Sequence, residues 1–144
     1  MQIGVDTTFM VEVDVAGHPG HVAAQHWLGD VLARGDTLVL APQVSAEYIH
    51  VVTDPRRFAE PLTPAAALAR AQAWWEAQDV GHAFPDADAM SLFWQWLREF
   101  RLGRKRLLDT LLAATYFSHG VRTVVSSNAR DYGTFGCFDV IIPE

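Results

Sequence analysis

The chain begins with the stretch MQIGVDTT, residues 1 to 8, in which a short apolar run is followed by three residues typical of helix N-termini. Met1 to Val5 is long enough for one buried strand, and Asp6, Thr7 and Thr8 are of the types that cap the first turn of a helix. We therefore predict a strand that passes directly into a helix, with Asp6 at the carboxyl end of the strand.

The same alternation of strand and helix continues to the C-terminus. Apolar or β-branched runs predict strands at 38–40, 81–84, 123–125 and 138–142, and helical spacing predicts helices at 21–32, 42–52, 63–78, 86–100 and 107–119. Such alternation is typical of a parallel sheet that is covered by helices on both faces. We predict an α/β fold, a three-layer α/β/α domain with a mostly parallel sheet of four to five strands, and a single domain over residues 1–144.

Composition narrows the class of protein. Half of the 144 residues are apolar, so the chain can bury one sizeable core. No leader pattern is present, and no apolar stretch approaches the roughly 20 residues that span a bilayer. We expect no membrane association and a cytoplasmic location.

Cys137 is the only cysteine, which excludes an internal disulfide and a cysteine-based zinc cluster.

Charge is distributed unevenly along the chain. The net charge of −6 argues against general binding of nucleic acids by charge alone. Residues 1–97 hold four basic and twelve acidic side chains, whereas residues 98–144 hold seven basic and five acidic ones. Five of the basic residues fall within nine positions: Arg98, Arg101, Arg104, Lys105 and Arg106. Either a solvated helix end or contacts with phosphate would explain this cluster.

Two acidic side chains occupy helix faces that should be apolar. Glu47 shares a face with Val44 and Val51, and Asp109 shares one with Leu112 and Tyr116. Both carboxylates are therefore predicted to point toward the core. A buried carboxylate without a partner costs several kcal/mol, so each of these must meet a cation, a donor or water.

Two further acids follow predicted strands. Parallel strands would bring Asp6 and Asp131 to the same sheet edge, so that four acids could converge with Glu47 and Asp109. Oxygen ligands without cysteine suit Mg²⁺ or Mn²⁺ rather than zinc. Each acid also has a simpler explanation: Asp6 and Asp109 could be helix N-caps, Glu47 could pair with an arginine, and Asp131 could belong to a turn.

Five short motifs carry a resemblance to a known family over nearly the whole chain. They are Asp6-Thr7-Thr8-Phe9-Met10, the helix from His21 to Leu28, Ser45-Ala46-Glu47-Tyr48, Leu108 to Ala114, and Val125 to Tyr132. In order and spacing they resemble the PIN-domain ribonucleases, and specifically the VapC-like toxins of type II toxin-antitoxin systems. Two positions depart from the family pattern. Thr8 stands where asparagine or serine is usual, and Asn128 stands where many relatives have an acid.

The resemblance implies a metal-dependent endoribonuclease that hydrolyses RNA and is the toxin of a toxin-antitoxin pair. The implied catalytic residues, which would hold one or two Mg²⁺ or Mn²⁺ ions, are Asp6, Glu47, Asp109 and Asp131. Thr7, Ser127 and Asn128 would support these ligands. Arg101, Arg104, Lys105 and Arg106 would contact phosphates of the RNA substrate. The resemblance also implies a cognate antitoxin protein. Exposed apolar helix faces would suit either the seam of a homodimer or a docking groove for that antitoxin.

Two other classes of function remain as alternatives. One is a catalytically silent PIN domain that binds RNA or protein. The other is a phosphoryl-transfer domain with Asp6 as nucleophile, which is disfavoured because the only lysine, Lys105, precedes a helix instead of following a late strand. Six aromatic residues could stack on bases, but their helical spacing favours a core or a subunit interface, and of these two we prefer the interface. They are Trp74, Trp75, Phe93, Trp94, Trp96 and Phe100.

Overall fold

A computed structural model describes residues 1–144, which form five strands and seven helices. The strands are β1 (Gln2–Val5), β2 (Thr37–Leu40), β3 (Val80–His82), β4 (Thr123–Val125) and β5 (Asp139–Ile141). The helices are α1 (Thr7–Asp14), α2 (His21–Ala33), α3 (Pro42–Val52), α4 (Pro64–Glu76), α5 (Ala87–Glu99), α6 (Leu107–Ser118) and α7 (Ala129–Gly133). A 3-10 turn at Arg104–Arg106 precedes α6. None of the helices is long and apolar enough to cross a membrane.

All five strands run parallel, in the order β3-β2-β1-β4-β5. This confirms the predicted α/β/α fold. The chain moves outward from β1 to β3 and then returns to place β4 against the other side of β1, so the strand order reverses between β1 and β4. Ligands of open parallel sheets bind beyond the carboxyl ends of the strands at such a reversal. Val5 pairs with Val125 in the register that brings these two strand ends together.

Local signals explain where most helices begin. Asp6, Thr63 and Asp86 cap α1, α4 and α5 with their side chains, and Pro42 and Pro64 occupy the first position of α3 and α4. Helix α7 and the 3-10 turn were not predicted from the sequence, because elements of five and three residues are too short to show a periodic apolar pattern.

Tyr116 connects the central strands to α6. The side chain is fully buried, and its hydroxyl donates to the Val5 carbonyl at 2.6 Å and accepts from the Ala41 amide at 3.4 Å. Its ring lies against Gly4, where a Cβ atom would be 2.9 Å from the ring carbons. Glycine is therefore needed at this position of β1. Asp109 lies two turns before Tyr116 on the same helix face. The hydrogen bonds of Tyr116 to Val5 and Ala41 therefore also fix the position of Asp109 relative to the sheet.

A second polar connection joins three helices on one side of the sheet. The buried Asp14 carboxylate at the end of α1 accepts hydrogen bonds from the Tyr48 hydroxyl at 2.7 Å and the Trp74 indole at 2.8 Å, and it pairs with Arg70 at 2.5 Å. These three donors belong to α3 and α4. The buried charge is thus fully paired, and it holds α3, which carries Glu47, against α1.

The aromatic residues between Trp74 and Phe100 belong mainly to the core. Trp74, Phe93 and Trp96 are buried, and Trp96 stacks on Phe135 with ring centroids 4.4 Å apart. Phe84 and Trp94 are half exposed. Most of these rings therefore belong to the core, and this corrects the preference for a subunit interface.

Replacement of Tyr116 by phenylalanine tests the connection between β1 and α6. The variant leaves the buried Val5 carbonyl without a donor, so we expect the free energy of unfolding to fall by about 1–3 kcal/mol, measured by urea denaturation. Tyr132→Phe is the matched control, because Tyr132 is also buried but its hydroxyl makes no hydrogen bond. Equal losses in the two variants would contradict the role given to the Tyr116 hydroxyl.

Candidate active site

Asp6 and Ser126 meet where the strand order reverses. Asp6 follows β1 and Ser126 follows β4, and the Ser126 hydroxyl donates to the Asp6 carboxylate at 2.5 Å. The other Asp6 oxygen accepts from the Thr7 amide at 2.8 Å, as an N-cap does. Asp6 is therefore both a helix cap and a residue at the sheet edge, so the two interpretations made from the sequence are compatible.

Glu47 does not point into the core, and this corrects the sequence-based prediction. The side chain is exposed on the wall of a groove, while Val44 and Tyr48 of the same helix are buried. The helical spacing placed Glu47 at the edge of the apolar face, where a long side chain can reach solvent. No arginine forms an ion pair with it, although the Arg57 and His50 charges act on it from a distance.

Asp109 and Asp131 lie across from Asp6. Asp109 is in the first turn of α6 and is not its N-cap, and its side chain is 44% exposed, so it too lies at the rim of the core rather than inside it. Asp131 is half-buried in α7, an element that replaces the turn expected beside Gly133. No protein donor forms a hydrogen bond with either carboxylate, so their oxygens are free to bind a ligand.

Three of the four acids, Asp6, Glu47 and Asp109, have raised pKa values. Burial raises the pKa of Asp6, and the charges of Glu47 and Asp131 raise it further, against the hydrogen bonds from Ser126 and Thr7. Partial desolvation and the charge of Asp109 raise the pKa of Glu47. Burial and the charges of Asp131 and Asp6 raise the pKa of Asp109, although Arg106 opposes this. Thus the sheet edge gathers negative charge that no protein cation fully compensates.

Basic residues line the same groove as the acids. Glu47 lies on one wall with Gln43 and His50, and Asp109 lies on the other with Arg104 and Lys105. The groove measures about 500 Å³. An apolar cavity of about 390 Å³ between α3 and α4, and a larger one of about 860 Å³ beside the α1–α2 connection, contain none of the four acids. Of these three cavities, the groove is therefore the one that contains two of the four acids, Glu47 and Asp109, beside cationic side chains.

The donor set of this edge fits a hard divalent cation, although the side chains do not form a closed ligand cage. No three of the histidine, cysteine, aspartate and glutamate side chains lie close enough to hold an ion together. The charges of neighbouring acids raise the pKa values of Asp6, Glu47 and Asp109, which is a longer-range effect. In addition, the buried Thr7 hydroxyl, which lies near the Glu47 carboxylate, makes no hydrogen bond of ordinary length. Uncompensated carboxylates with an unpaired hydroxyl are chemistry suited to Mg²⁺ or Mn²⁺.

Ser126, not Ser127, supports the first acid. Ser126 is fully buried and accepts from the Asn128 amide at 2.9 Å, whereas Ser127 is exposed and offers only its backbone amide to the Thr8 hydroxyl at 3.2 Å. Asn128 contributes that backbone donor and no side-chain hydrogen bond. The sequence did not distinguish the two adjacent serines, because only the end of β4 determines which one faces inward.

The predicted phosphate-contacting residues occupy three environments. Arg104 and Lys105 are exposed and line the groove. Arg101 is exposed in the turn after α5, where it adopts a left-handed conformation with φ of 51°, and it does not line the groove. Arg106 is engaged within the protein, since it donates to the Asp131 carbonyl at 2.8 Å and to the Thr134 hydroxyl at 3.3 Å.

Comparison with solved structures identifies the fold. A chain of VapBC2 from Rickettsia felis, bound to a DNA fragment from their promoter, is 15% identical, with a TM-score of 0.72 over 100% of both chains. VapC20 from Mycobacterium tuberculosis, described as a sarcin-ricin loop cleaving toxin, is 23% identical, with a TM-score of 0.63 over 85% of this chain and 86% of that one. FitAcB from Neisseria gonorrhoeae is 18% identical, with a TM-score of 0.59 over 100% and 97%.

No family model matches the sequence, and no curated protein matches it. The chain has the PIN-domain fold of the VapC toxins, which confirms the fold that the sequence motifs predicted. At these identities the likeness concerns the fold.

Neutralising one acid should stabilise the protein in the absence of divalent cations. Because the pKa of Asp109 is raised on folding, its charged form costs stability above that pKa, and the cost disappears as the pH falls through it. We expect Asp109→Asn to raise Tm by a few degrees at neutral pH in EDTA, with a gain that shrinks on acidification. Asp139→Asn, an exposed site outside the cluster, should change Tm little. A lower Tm for Asp109→Asn at neutral pH would contradict the repulsion inferred among the acids.

Proposed function

We propose that the protein is a Mg²⁺- or Mn²⁺-dependent endoribonuclease and the toxin of a toxin-antitoxin pair. The observation that carries this proposal is the grouping of Asp6, Glu47, Asp109 and Asp131 where the strand order reverses, with Arg106, 3.9 Å from Asp109, compensating their charge only in part. Such a grouping destabilises the free protein, so it calls for a cationic ligand. The PIN-domain fold of VapC toxins supports the same conclusion.

The four carboxylates would hold the cation, and the surrounding residues would keep them in place. A divalent ion bound there supplies activation of water for in-line attack on a phosphodiester and stabilises the charge on the departing 3′-oxygen. Ser126 fixes the rotamer of Asp6 through a hydrogen bond to one oxygen, and the Thr7 amide holds the other. Asp109 and Asp131 keep their oxygens free of protein donors. The products would carry 5′-phosphate and 3′-hydroxyl groups.

The groove next to the acids would bind the RNA backbone. Arg104 and Lys105 lie on its wall beside Asp109, so phosphates that flank the scissile bond could pair with them while the scissile phosphate faces the acids. Contacts of this kind position a strand without reading its sequence. Unpaired bases and RNA shape would then determine where the strand is cut. Arg101 would contact a more distant phosphate.

The toxin role rests on the structural neighbours. VapC20 is described as a toxin that cleaves the sarcin-ricin loop, and the VapBC2 structure contains a toxin-antitoxin complex on promoter DNA. By analogy, we propose a cognate antitoxin protein that suppresses the nuclease, a homodimer of this chain, and a cytoplasmic location.

Cleavage assays with matched variants test the nuclease. We expect the purified protein to cut labelled RNA at discrete sites in Mg²⁺ or Mn²⁺ and to be inactive in EDTA. Asp6→Asn and Asp109→Asn should each reduce the rate by more than about 100-fold, because loss of residues that only support a metal ligand already costs about 10–100-fold. Asparagine at position 6 can still cap α1, so the fold should persist.

The control is Asp139→Asn, which removes an equal charge on exposed β5 and should cleave as fast as the wild type. Cleavage that persists in EDTA, or that is equally fast in the Asp6 and Asp109 variants, would contradict the proposed mechanism. No cleavage of any RNA, total cellular RNA included, would favour the alternative of a silent PIN domain that only binds.

Growth measurements test the toxin role separately. Induced expression of the wild-type chain in a bacterial host should arrest growth, and expression of Asp6→Asn to the same level should not. A small protein encoded next to the gene should restore growth when it is coexpressed. A nuclease that cleaves RNA in vitro but leaves growth unaffected would instead indicate a role in routine RNA processing.

A further inference from the structure

Arg106 connects the start of α6 to α7. One terminal nitrogen of its guanidinium donates to the Asp131 carbonyl at 2.8 Å, and the other donates to the Thr134 hydroxyl at 3.3 Å. Asp131 lies in α7, and Thr134 is the residue that ends it. The guanidinium also lies 6.0 Å from the centroid of the Phe135 ring. The planar guanidinium therefore binds both the middle and the end of α7, the helix that carries Asp131.

The same guanidinium faces Asp109 without forming a hydrogen bond to it. The Arg106 Nε lies 3.9 Å from the Asp109 carboxylate, a distance too long for a hydrogen bond, and this nitrogen is buried without a partner. Arg106 thus engages the backbone of Asp131 and leaves the carboxylates of both Asp109 and Asp131 free of donors. Arg106 therefore makes only this long ion pair with the acids, while its hydrogen bonds go to the Asp131 backbone and to Thr134.

We propose that Arg106 is a positioning residue, which sets the separation of the Asp109 and Asp131 carboxylates and so completes the divalent-cation site. This inference rests on the proposed function and replaces the expectation that Arg106 contacts RNA phosphates. Helix α7 has five residues, too few to hold its place by its own hydrogen bonds. The bonds from Arg106 provide the external support that such a short helix needs.

A purely electrostatic role and a positioning role of Arg106 predict opposite effects on cation binding when this residue is replaced. Removal of a positive charge near the site should tighten binding of Mn²⁺, because repulsion between two cations is lost. Loss of the connection between α6 and α7 should weaken binding, because Asp109 and Asp131 no longer keep a fixed separation. The direction of the change therefore distinguishes a positioning role from a purely electrostatic one.

Calorimetric titration with Mn²⁺ tests the proposal by comparing the purified wild type with three variants, Arg106→Met, Arg106→Lys and Thr134→Ala. We expect Kd for Mn²⁺ to rise about tenfold in both Arg106 variants, because lysine keeps the charge but not the fork, and to rise less in Thr134→Ala. Arg130→Met is the matched control. It removes an exposed charge from the same short helix, next to Asp131, without removing a hydrogen bond, so Mn²⁺ should bind as tightly as to the wild type or more tightly.

Hydrogen exchange measured without metal gives a second readout. Amides of residues 131–136 should exchange faster in the Arg106 variants than in Arg130→Met, while amides of β1 remain protected. Unchanged or tighter Mn²⁺ binding in Arg106→Lys and Thr134→Ala would overturn the proposal, even if Arg106→Met fails to fold. A wild-type protein that binds no Mn²⁺ would overturn the metal-dependent function together with this inference, whereas binding that is equal in wild type and variants would overturn the inference alone.

Discussion

Repulsion among four carboxylates is the constraint on which this structure depends. The pKa values of Asp6, Glu47 and Asp109 are raised by burial or partial desolvation and by neighbouring acids, so their ionised forms are held at a cost in stability. A fold maintains such a cost only when the rest of the chain over-determines the positions of the charged groups. A bound cation would convert the repulsion into attraction.

The supports for these acids come from four distant parts of the chain. Ser126 holds Asp6 by a bond between residues 120 positions apart, and Tyr116 anchors α6 to the end of β1. Asp14 ties α3 to α1 and so supports the helix that carries Glu47. Arg106 holds the backbone of Asp131. Each acid therefore has its own attachment to the parallel sheet, and the reversal of strand order brings these attachments together.

Much of the fold could be predicted from the sequence because its signals are local. The run from Met1 to Thr8 contains a strand, an N-cap and the first turn of a helix, and the structure has all three. The alternation of short apolar runs with helical periodicity also indicated the α/β/α layers correctly. Helix α7 was not predicted because five residues are too few to show a helical period of apolar side chains. Its position also depends on a hydrogen bond from Arg106 to the Asp131 carbonyl, 25 residues away in sequence.

The four acids of the candidate site could be proposed from the sequence, whereas their surroundings could not. Periodicity identified Glu47 and Asp109 as unusual, but it could not tell the core from the rim of a groove, because both lie at the edge of an apolar helix face. Likewise, Ser126 and Ser127 are indistinguishable in sequence, and only the register of β4 against β1 turns Ser126 toward Asp6. Residues that act through tertiary hydrogen bonds carry no local signal.

Anomalous scattering from a crystal of the protein soaked with Mn²⁺ would show whether the four acids bind a divalent cation. We expect an anomalous peak at the sheet edge, within ligand distance of oxygens from at least three of Asp6, Glu47, Asp109 and Asp131. An ordered site with no anomalous peak among these four acids, or a peak bound only elsewhere on the protein, would contradict it.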